Sequence, residues 1–398
     1  MNDLPLKPQT QSLTDALRRE AAAAPESGIV EAMNYGRRRE AVTPLWAGEG
    51  DLATPAFICE AATRSLAAGE TFYTWQRGIP ELREALARYH TMLYGRTFGP
   101  EEFYVTGSGM QAIQIVLAMV AGAGDEVLIP TPTWPNAAAA AGIAGARATE
   151  VPMSFGNDGW SLDLDRLAAA VTPNTRALFV VSPSNPTGWT ATREDLLALL
   201  ALARRHGLWT IADETYARFW YGDGARAPSF FDVMDAEDRV LFVNTFSKNW
   251  AMTGWRIGWI AAHPSLGQVI ENMIQYSTSG VAAFMQRAAV AALERGESFV
   301  AHLIERARRG REISCGALAA TGRVRFAQPQ GAFYLFFSVD GETDTRRLVM
   351  RLIDEARAGL APGTAFGAGG ERFVRLCFAR NAEQLQAAVD RVAGVISR

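Results

Sequence analysis

The sequence predicts an open α/β fold: a seven-stranded, mostly parallel sheet with helices on both faces, followed by a smaller α+β part. Three observations predict it. Between about residues 50 and 290, short apolar runs alternate with longer helical patterns. Those runs are apolar almost throughout rather than at every second position, which marks strands buried on both faces. Beyond about residue 282 the character changes to a long alanine- and arginine-rich helical stretch and two isolated strand-like runs.

The elements follow in chain order. The leader has no apolar core of its own and is expected to pack on the smaller part or on another subunit. FYVT (103–106) is the first strand, and after the glycines at 107 and 109, Met110, Ile113, Leu117 and Val120 recur on one helical face. EVLIP (126–130), ATEVPM (148–153) and ALFVVS (177–182) are the next strands. Thr192 and Asp195 are spaced as a capping box before LLALLALARR, with Gly207 as the C-terminal cap. LWTIAD (208–213), VLFVN (240–244) and RIGWIAA (256–262) complete the seven. A helical stretch over 282–320 leads to GAFYLFF (331–337) and RFVRLCF (372–378), with helical patterns between and after them. The expected divisions are an N-terminal arm, 1–45, a large domain, 46–285, and a small C-terminal domain, 286–398.

Composition excludes several classes. With 48% hydrophobic and 20% charged residues, the 398-residue chain can bury a large core and is not disordered. A formal charge of −3 gives no electrostatic reason to expect nucleic acid or an anionic membrane as partner. Cys59, Cys315 and Cys377 are odd in number and far apart, so neither a disulfide framework nor a zinc knuckle is expected, and a reducing cytoplasm is the simplest compartment. His90, His206, His263 and His302 lack ligand spacing, so no metal site is expected. MNDLPLKPQT does not read as a secretory signal, and no apolar run reaches the roughly 18 residues of a membrane span.

Only two of the 39 basic residues are lysine, Lys7 and Lys248. Arginine replaces lysine in most surface roles, but it cannot act as a neutral amine and form an imine. Lys7 stands in a polar leader. Lys248 follows VLFVNTFS, a β-like run heading for the interior, where an amine suggests chemistry.

Most of the strands run into a polar turn marked by glycine or proline, and in an open α/β sheet the ligand site lies beyond the carboxyl ends of the strands. Gly107-Ser108-Gly109-Met110 opens a helix, where backbone N–H groups can approach an anion or simply make a tight connection. Asp213 ends a strand and needs a cationic or hydrogen-bonding partner, unless it caps the next helix. Asn185 can donate to a ligand oxygen or serve as a turn residue, and Tyr216 can share the donor role or pack at the core edge. Trp134 can stack on a planar ring or simply pack. Arg256 begins an apolar strand and Arg375 interrupts one; buried there, each requires an anion, internal or external.

NTFSKNWAMTGWRIGW (244–259) closely resembles the cofactor-lysine signature of class I/II aminotransferases, pyridoxal-phosphate enzymes of fold type I, here of the aspartate/aromatic type. The resemblance holds order and spacing from about residue 45 onward, through LWAGEGD (45–51), YTWQRGIPELREAL (73–86), VTGSGMQA (105–112), DEVLIPTPTWPN (125–136), SPSNPTG (182–188), ADETY (212–216), QGAFYLF (330–336) and PGTAFGAGGERFVRLCFA (362–379). It implies an amino acid:2-oxo acid aminotransferase working by ping-pong half-reactions. By resemblance, Lys248 holds pyridoxal 5′-phosphate as an internal aldimine and moves the proton. Asp213 keeps the ring nitrogen protonated, Asn185 and Tyr216 bond the ring oxygen, and Trp134 stacks. The backbone of Ser108, Gly109 and Met110 holds the phosphate with Arg256 and the hydroxyls of Thr245 or Ser247. Arg375 takes the substrate α-carboxylate, with Gly48 and Asn185 in the same pocket. Tyr73 matches a residue that reaches the neighbouring subunit's phosphate, implying a homodimer with shared sites.

One departure bears on the substrate. Many bacterial aspartate-using relatives carry a lysine where this chain has Met110, so a second carboxylate would need another cation, such as Arg37, Arg38 or Arg39 of the leader or one from the partner. Aromatic or neutral donors are therefore placed slightly ahead of aspartate, unless Met110 merely packs. The alternatives are a carbon–sulfur β-lyase of the same fold and a non-catalytic ligand-sensing module, for whose usual DNA-binding partner the leader is too short. A nicotinamide dehydrogenase is a poor rival, because GxGxxG in a strand–helix context is missing.

Overall fold

The computed structural model describes residues 13–398; Lys7 lies outside them. Seven strands build the main sheet: β1 (Phe103–Thr106), β2 (Glu126–Thr131), β3 (Arg147–Pro152), β4 (Thr175–Val181), β5 (Trp209–Asp213), β6 (Val240–Thr245) and β7 (Gly258–Ala261). Their order is β1-β7-β6-β5-β4-β2-β3. All pairings are parallel except those of β7, which opposes both β1 and β6 and sets Gly258 across from Thr106 and Thr245. The predicted seven-stranded sheet is present, each strand within two residues of its expected bounds.

The apolar runs follow from helices on both faces. The helices of six or more residues up to residue 295 are α1 (Gly28–Gly36), which packs on the C-terminal part, α2 (Ala56–Ala67), α3 (Pro80–Tyr94), α4 (Gly109–Val120), α5 (Asn136–Ala144), α6 (Leu164–Ala169), α7 (Arg193–His206), α8 (Gly267–Gln275) and α9 (Ala283–Arg295). Val127, Phe179, Ile211 and Leu241 pack with Ile113 and Leu117 of α4, Ala140 of α5 and Ile270 of α8. The residues next to them, Leu128, Leu178, Ala212 and Phe242, pack with Ile58, Leu86, Leu199 and Ala288 of α2, α3, α7 and α9 on the other face. Thr192 and Asp195 make the reciprocal capping box, and Gly207 closes α7 in the left-handed region at φ 65°.

The expected helix over 282–320 is interrupted at Gly296, and α10 (Glu297–Ala319) follows α9. Four further strands, β8 (Val324–Phe326), β9 (Tyr334–Val339), β10 (Ala361–Pro362) and β11 (Phe373–Cys377), form an antiparallel sheet in the order β8-β9-β11-β10. It shares a core with α10, α11 (Thr345–Ala356) and α12 (Ala382–Ile396). The leader joins this core through Ala32 of α1, and Thr43–Pro44 pairs in parallel with Ala358–Gly359. Among the described residues no helix is long and apolar enough to cross a membrane, no group of metal-ligating side chains gathers, and all three cysteines are unpaired.

Candidate active site

Because β7 runs against its neighbours, its first end lies at the carboxyl edge of the other strands. The turns after β1, β2, β4, β5 and β6 therefore meet the start of β7 and the face of the small sheet around one cavity of about 320 Å³. Gly48, Gly109, Met110, Trp134, Asn185, Asp213, Tyr216, Thr245, Ser247, Lys248, Arg256 and Arg375 all line it. A wider groove of about 850 Å³, between the segment Arg19–Gly28 and α5, gathers none of these reactive groups.

Lys248 is partly buried, and its Nζ donates to the Gly48 carbonyl at 2.6 Å. Burial pushes its ammonium down to about 8, with Arg375 and Arg256 acting the same way against Cys377 and Glu49. Asp213 ends β5 and does not cap a helix: its Oδ1 accepts from the backbone N–H of Thr215 at 3.1 Å in a tight turn. Burial raises its carboxyl above the usual range, against the Thr215 bonds and Lys248.

Two of the predicted residues order turns at the cavity, and one premise fails. Ser108 is the N-cap of α4, its Oγ accepting from Gln111 at 2.9 Å, so the first N–H groups of α4 are what an anion would meet. Thr245 Oγ1 donates to the Ile257 carbonyl at 3.1 Å and accepts from the Ser247 N–H at 3.1 Å, which orders the turn carrying Ser247 and Lys248. Arg256 is not buried in a strand. It is exposed, in the left-handed region at φ 53°, two residues before β7, and its Nη1 donates to the Thr253 carbonyl at 2.7 Å. The apolar run suggested a strand from 256, but the left-handed turn delays it to Gly258. A Cβ at 258 would stand 2.7 Å from the Gly109 nitrogen, so a glycine there lets β7 approach the start of α4.

Arg375 is 2% exposed in the middle of β11. Its Nη1 donates to Asn185 Oδ1 at 2.9 Å and its Nη2 to the Trp46 carbonyl, while Nε is buried without a partner. The rings of Tyr334 and Phe366 lie 4.7 and 4.8 Å from the guanidinium carbon. Among the described residues no carboxylate stands within ion-pair distance, whereas the comparably buried Arg218 pairs with Glu297. A buried cation held only by neutral acceptors calls for an anion from outside. Since a guanidinium can only donate, Asn185 must present Oδ1 to it, which leaves the amide N–H groups for the cavity.

The leader supplies pocket wall, not charge. Ile29 and Met33 of α1 line the cavity beside Met110 and Ile113. Arg37 and Arg38 are exposed and absent from the lining, and Arg39 pairs with Asp354 at 2.7 Å, so none of the three serves the pocket within this chain. Met110 Sδ sits 3.5 Å from the Asn136 amide. Tyr73 is 92% exposed and outside this chain's own cavity. Tyr334, Ile29, Met33 and Phe366 were not singled out from sequence; Tyr334 was visible only as one aromatic in an apolar run.

The donor set fits pyridoxal 5′-phosphate: helix N–H groups, a hydroxyl and an arginine for a phosphate, and a buried carboxylate without a cationic partner for a ring nitrogen. The sole described lysine is beside them.

A family model of class I and II aminotransferases matches residues 41–392. The aspartate/prephenate aminotransferase of Thermus thermophilus is 36% identical over 388 residues, covering 96% of this chain and 98% of that protein. Aromatic-amino-acid aminotransferase 2 of Thermococcus litoralis is 35% identical, with coverage of 90% and 92%. The crystal structure of a Thermotoga maritima aspartate aminotransferase superposes with a TM-score of 0.89 at 32% identity, covering 96% of this chain and all of that one.

Proposed function

The chain belongs to the class I and II aminotransferases, and from that premise we propose how its own residues divide the work of a pyridoxal-phosphate-dependent amino acid:2-oxo acid aminotransferase. The observation that carries this reading is the placement of Lys248, an amine whose ammonium is pushed down to about 8, in a cavity shared with the unpaired carboxylate of Asp213.

When bound, the cofactor supplies a ring that accepts the electrons released at the substrate's α-carbon. Lys248 is the residue to hold it and to carry the proton at that carbon, since a value near 8 leaves part of the amine neutral near neutral pH. Asp213 keeps a proton on the ring nitrogen. Asn185 and Tyr216 would donate to the ring oxygen, and Trp134 would cover the ring face. The first N–H groups of α4 at Gly109 and Met110, with Ser108 setting that turn, hold the phosphate together with Ser247 and Arg256, and Thr245 orders their loop. Arg375 grips the substrate α-carboxylate, exchanging the Trp46 carbonyl for an anion, and Gly48 lines the same pocket.

The wall of Ile29, Met33, Met110 and Ile113 favours an aromatic or other apolar donor over aspartate. The exposed Tyr73 supports a homodimer in which each copy reaches the other's phosphate site. Three unpaired cysteines support a cytoplasmic setting.

Borohydride treatment of the holoprotein followed by peptide mapping should leave the reduced adduct on Lys248. The Lys248→Ala variant should lose the visible absorbance and at least about a thousandfold in turnover. An adduct elsewhere, or retained turnover, would overturn the assignment. A panel of amino donors against pyruvate, 2-oxoglutarate and oxaloacetate reads out the preference.

A further inference from the structure

We propose that Tyr334 is a positioning residue that fixes which way the Tyr216 hydroxyl donates and holds the Arg375 guanidinium in place. It thereby couples the cofactor end of the pocket to the carboxylate end. The inference rests on the cofactor site proposed above.

Tyr334 is fully buried at the start of β9. Its Oη lies 2.7 Å from the Tyr216 Oη, with the two rings edge to face at 5.6 Å. That is the one hydrogen bond of the Tyr334 hydroxyl among the described residues. The backbone of Gly48 closes the other side: a Cβ there would stand 2.3 Å from the Tyr334 Oη. A single proton lies between the two hydroxyls. Buried donors go unpaired at a cost, so the Tyr334 proton points to Tyr216, its one acceptor among the described residues. The Tyr216 proton is then directed into the cavity that both residues line. A hydroxyl that accepts one bond becomes a stronger donor of the next.

The ring of the same residue serves the other end. In the register of the small sheet, Tyr334 faces Cys377 and Phe336 faces Arg375, so Tyr334 and Arg375 share a sheet face. The guanidinium lies over the Tyr334 ring at 4.7 Å. The titratable groups around the pair are Lys248 and Asp213 from the large sheet and Arg375 and Cys377 from the small one.

Removing only the hydroxyl separates the two duties. In Tyr334→Phe holoprotein, Tyr216 becomes a weaker donor to an anionic ring oxygen. The pH midpoint of the visible absorbance should therefore rise by about 0.5 to 1 unit. In a Tyr216→Phe background the second substitution should add nothing, because the effect passes through Tyr216. Tyr334→Leu, which also removes the ring, should weaken binding of a monocarboxylate inhibitor about tenfold, as followed by the same absorbance, while Tyr334→Phe leaves it within about twofold. An unchanged midpoint in Tyr334→Phe, or an equal additive shift in the Tyr216→Phe background, overturns the proposal. Equal inhibitor binding by the Phe and Leu variants overturns the role of the ring. Failure of the wild-type holoprotein to show the visible band overturns the cofactor site itself, a different and distinguishable result.

Discussion

At the end of β5 two neighbouring carboxylates face opposite ways. Asp213 lines the cavity, whereas Glu214 turns back into the core. There it accepts from Ser229 Oγ at 2.7 Å and the Phe230 N–H at 3.1 Å, with the Tyr94 hydroxyl 3.4 Å away. The nearest cation, Arg226, is bound to Asp232. Burial, the largest influence, pushes Glu214 up to about 7, against the bonds from Ser229 and Phe230. The folded protein thus holds this proton more tightly than the unfolded chain does. The stability it contributes is complete below about pH 4.5 and is lost as pH rises through 7. The loss amounts to about 3 kcal/mol at most. Glu214→Gln carries the neutral form permanently, so denaturant unfolding at pH 5 and pH 8 should show the wild type losing stability relative to the variant across that interval. Parallel profiles for the two proteins would mean that Glu214 is already charged at pH 5.

Elements buried on both faces are legible because burial leaves its mark at every residue. The strands of the large sheet other than the half-exposed edge strand β3, and the capped α7 with its Thr192, Asp195 and Gly207, could be read from local pattern. The direction of β7 could not, since an apolar run has no polarity, and with it went the true setting of Arg256. The order of the reactive residues was carried by local turn chemistry and by resemblance. The pocket wall depended on distant packing. Nothing in GIVEAMNYG shows that α1 will turn Ile29 and Met33, four residues apart on one helical face, toward the cavity. That placement makes a prediction for the element. Shortening both side chains in Ile29→Ala/Met33→Ala removes apolar wall without touching the cofactor or carboxylate groups. The kcat/KM for phenylalanine should fall about tenfold while that for aspartate changes less than about threefold. Equal falls for both donors would show that α1 supports the pocket without reading the side chain.

For the molecule as a whole, one surface bears on the homodimer proposed above. Phe72, Tyr73, Trp75 and Tyr276 are 82%, 92%, 63% and 88% exposed, and this aromatic patch is where the homodimer proposed above would seat its second copy. The patch is tied to the site. Thr74 Oγ1 donates to the Val281 carbonyl at 3.0 Å, and the Gln286 amide donates to Thr74 at 3.2 Å, anchoring the aromatic segment to the loop after α8. Gln111, in the first turn of α4, donates to Ser277 and Thr278 in that loop at 2.9 and 3.0 Å. Covering the patch with a second copy would therefore brace the turn proposed to hold the phosphate, besides presenting Tyr73 to the neighbouring site. Placing a charge at its centre tests both consequences. The wild type should sediment as a dimer at micromolar concentration. Trp75→Glu should sediment as a monomer and release pyridoxal phosphate with a dissociation constant raised at least about tenfold, about 1.4 kcal/mol. Tyr73→Phe should remain dimeric and lose only part of the cofactor affinity, because it removes one hydroxyl and not the surface. A Trp75→Glu monomer that keeps its cofactor as tightly as the wild type would mean that each chain completes its site alone.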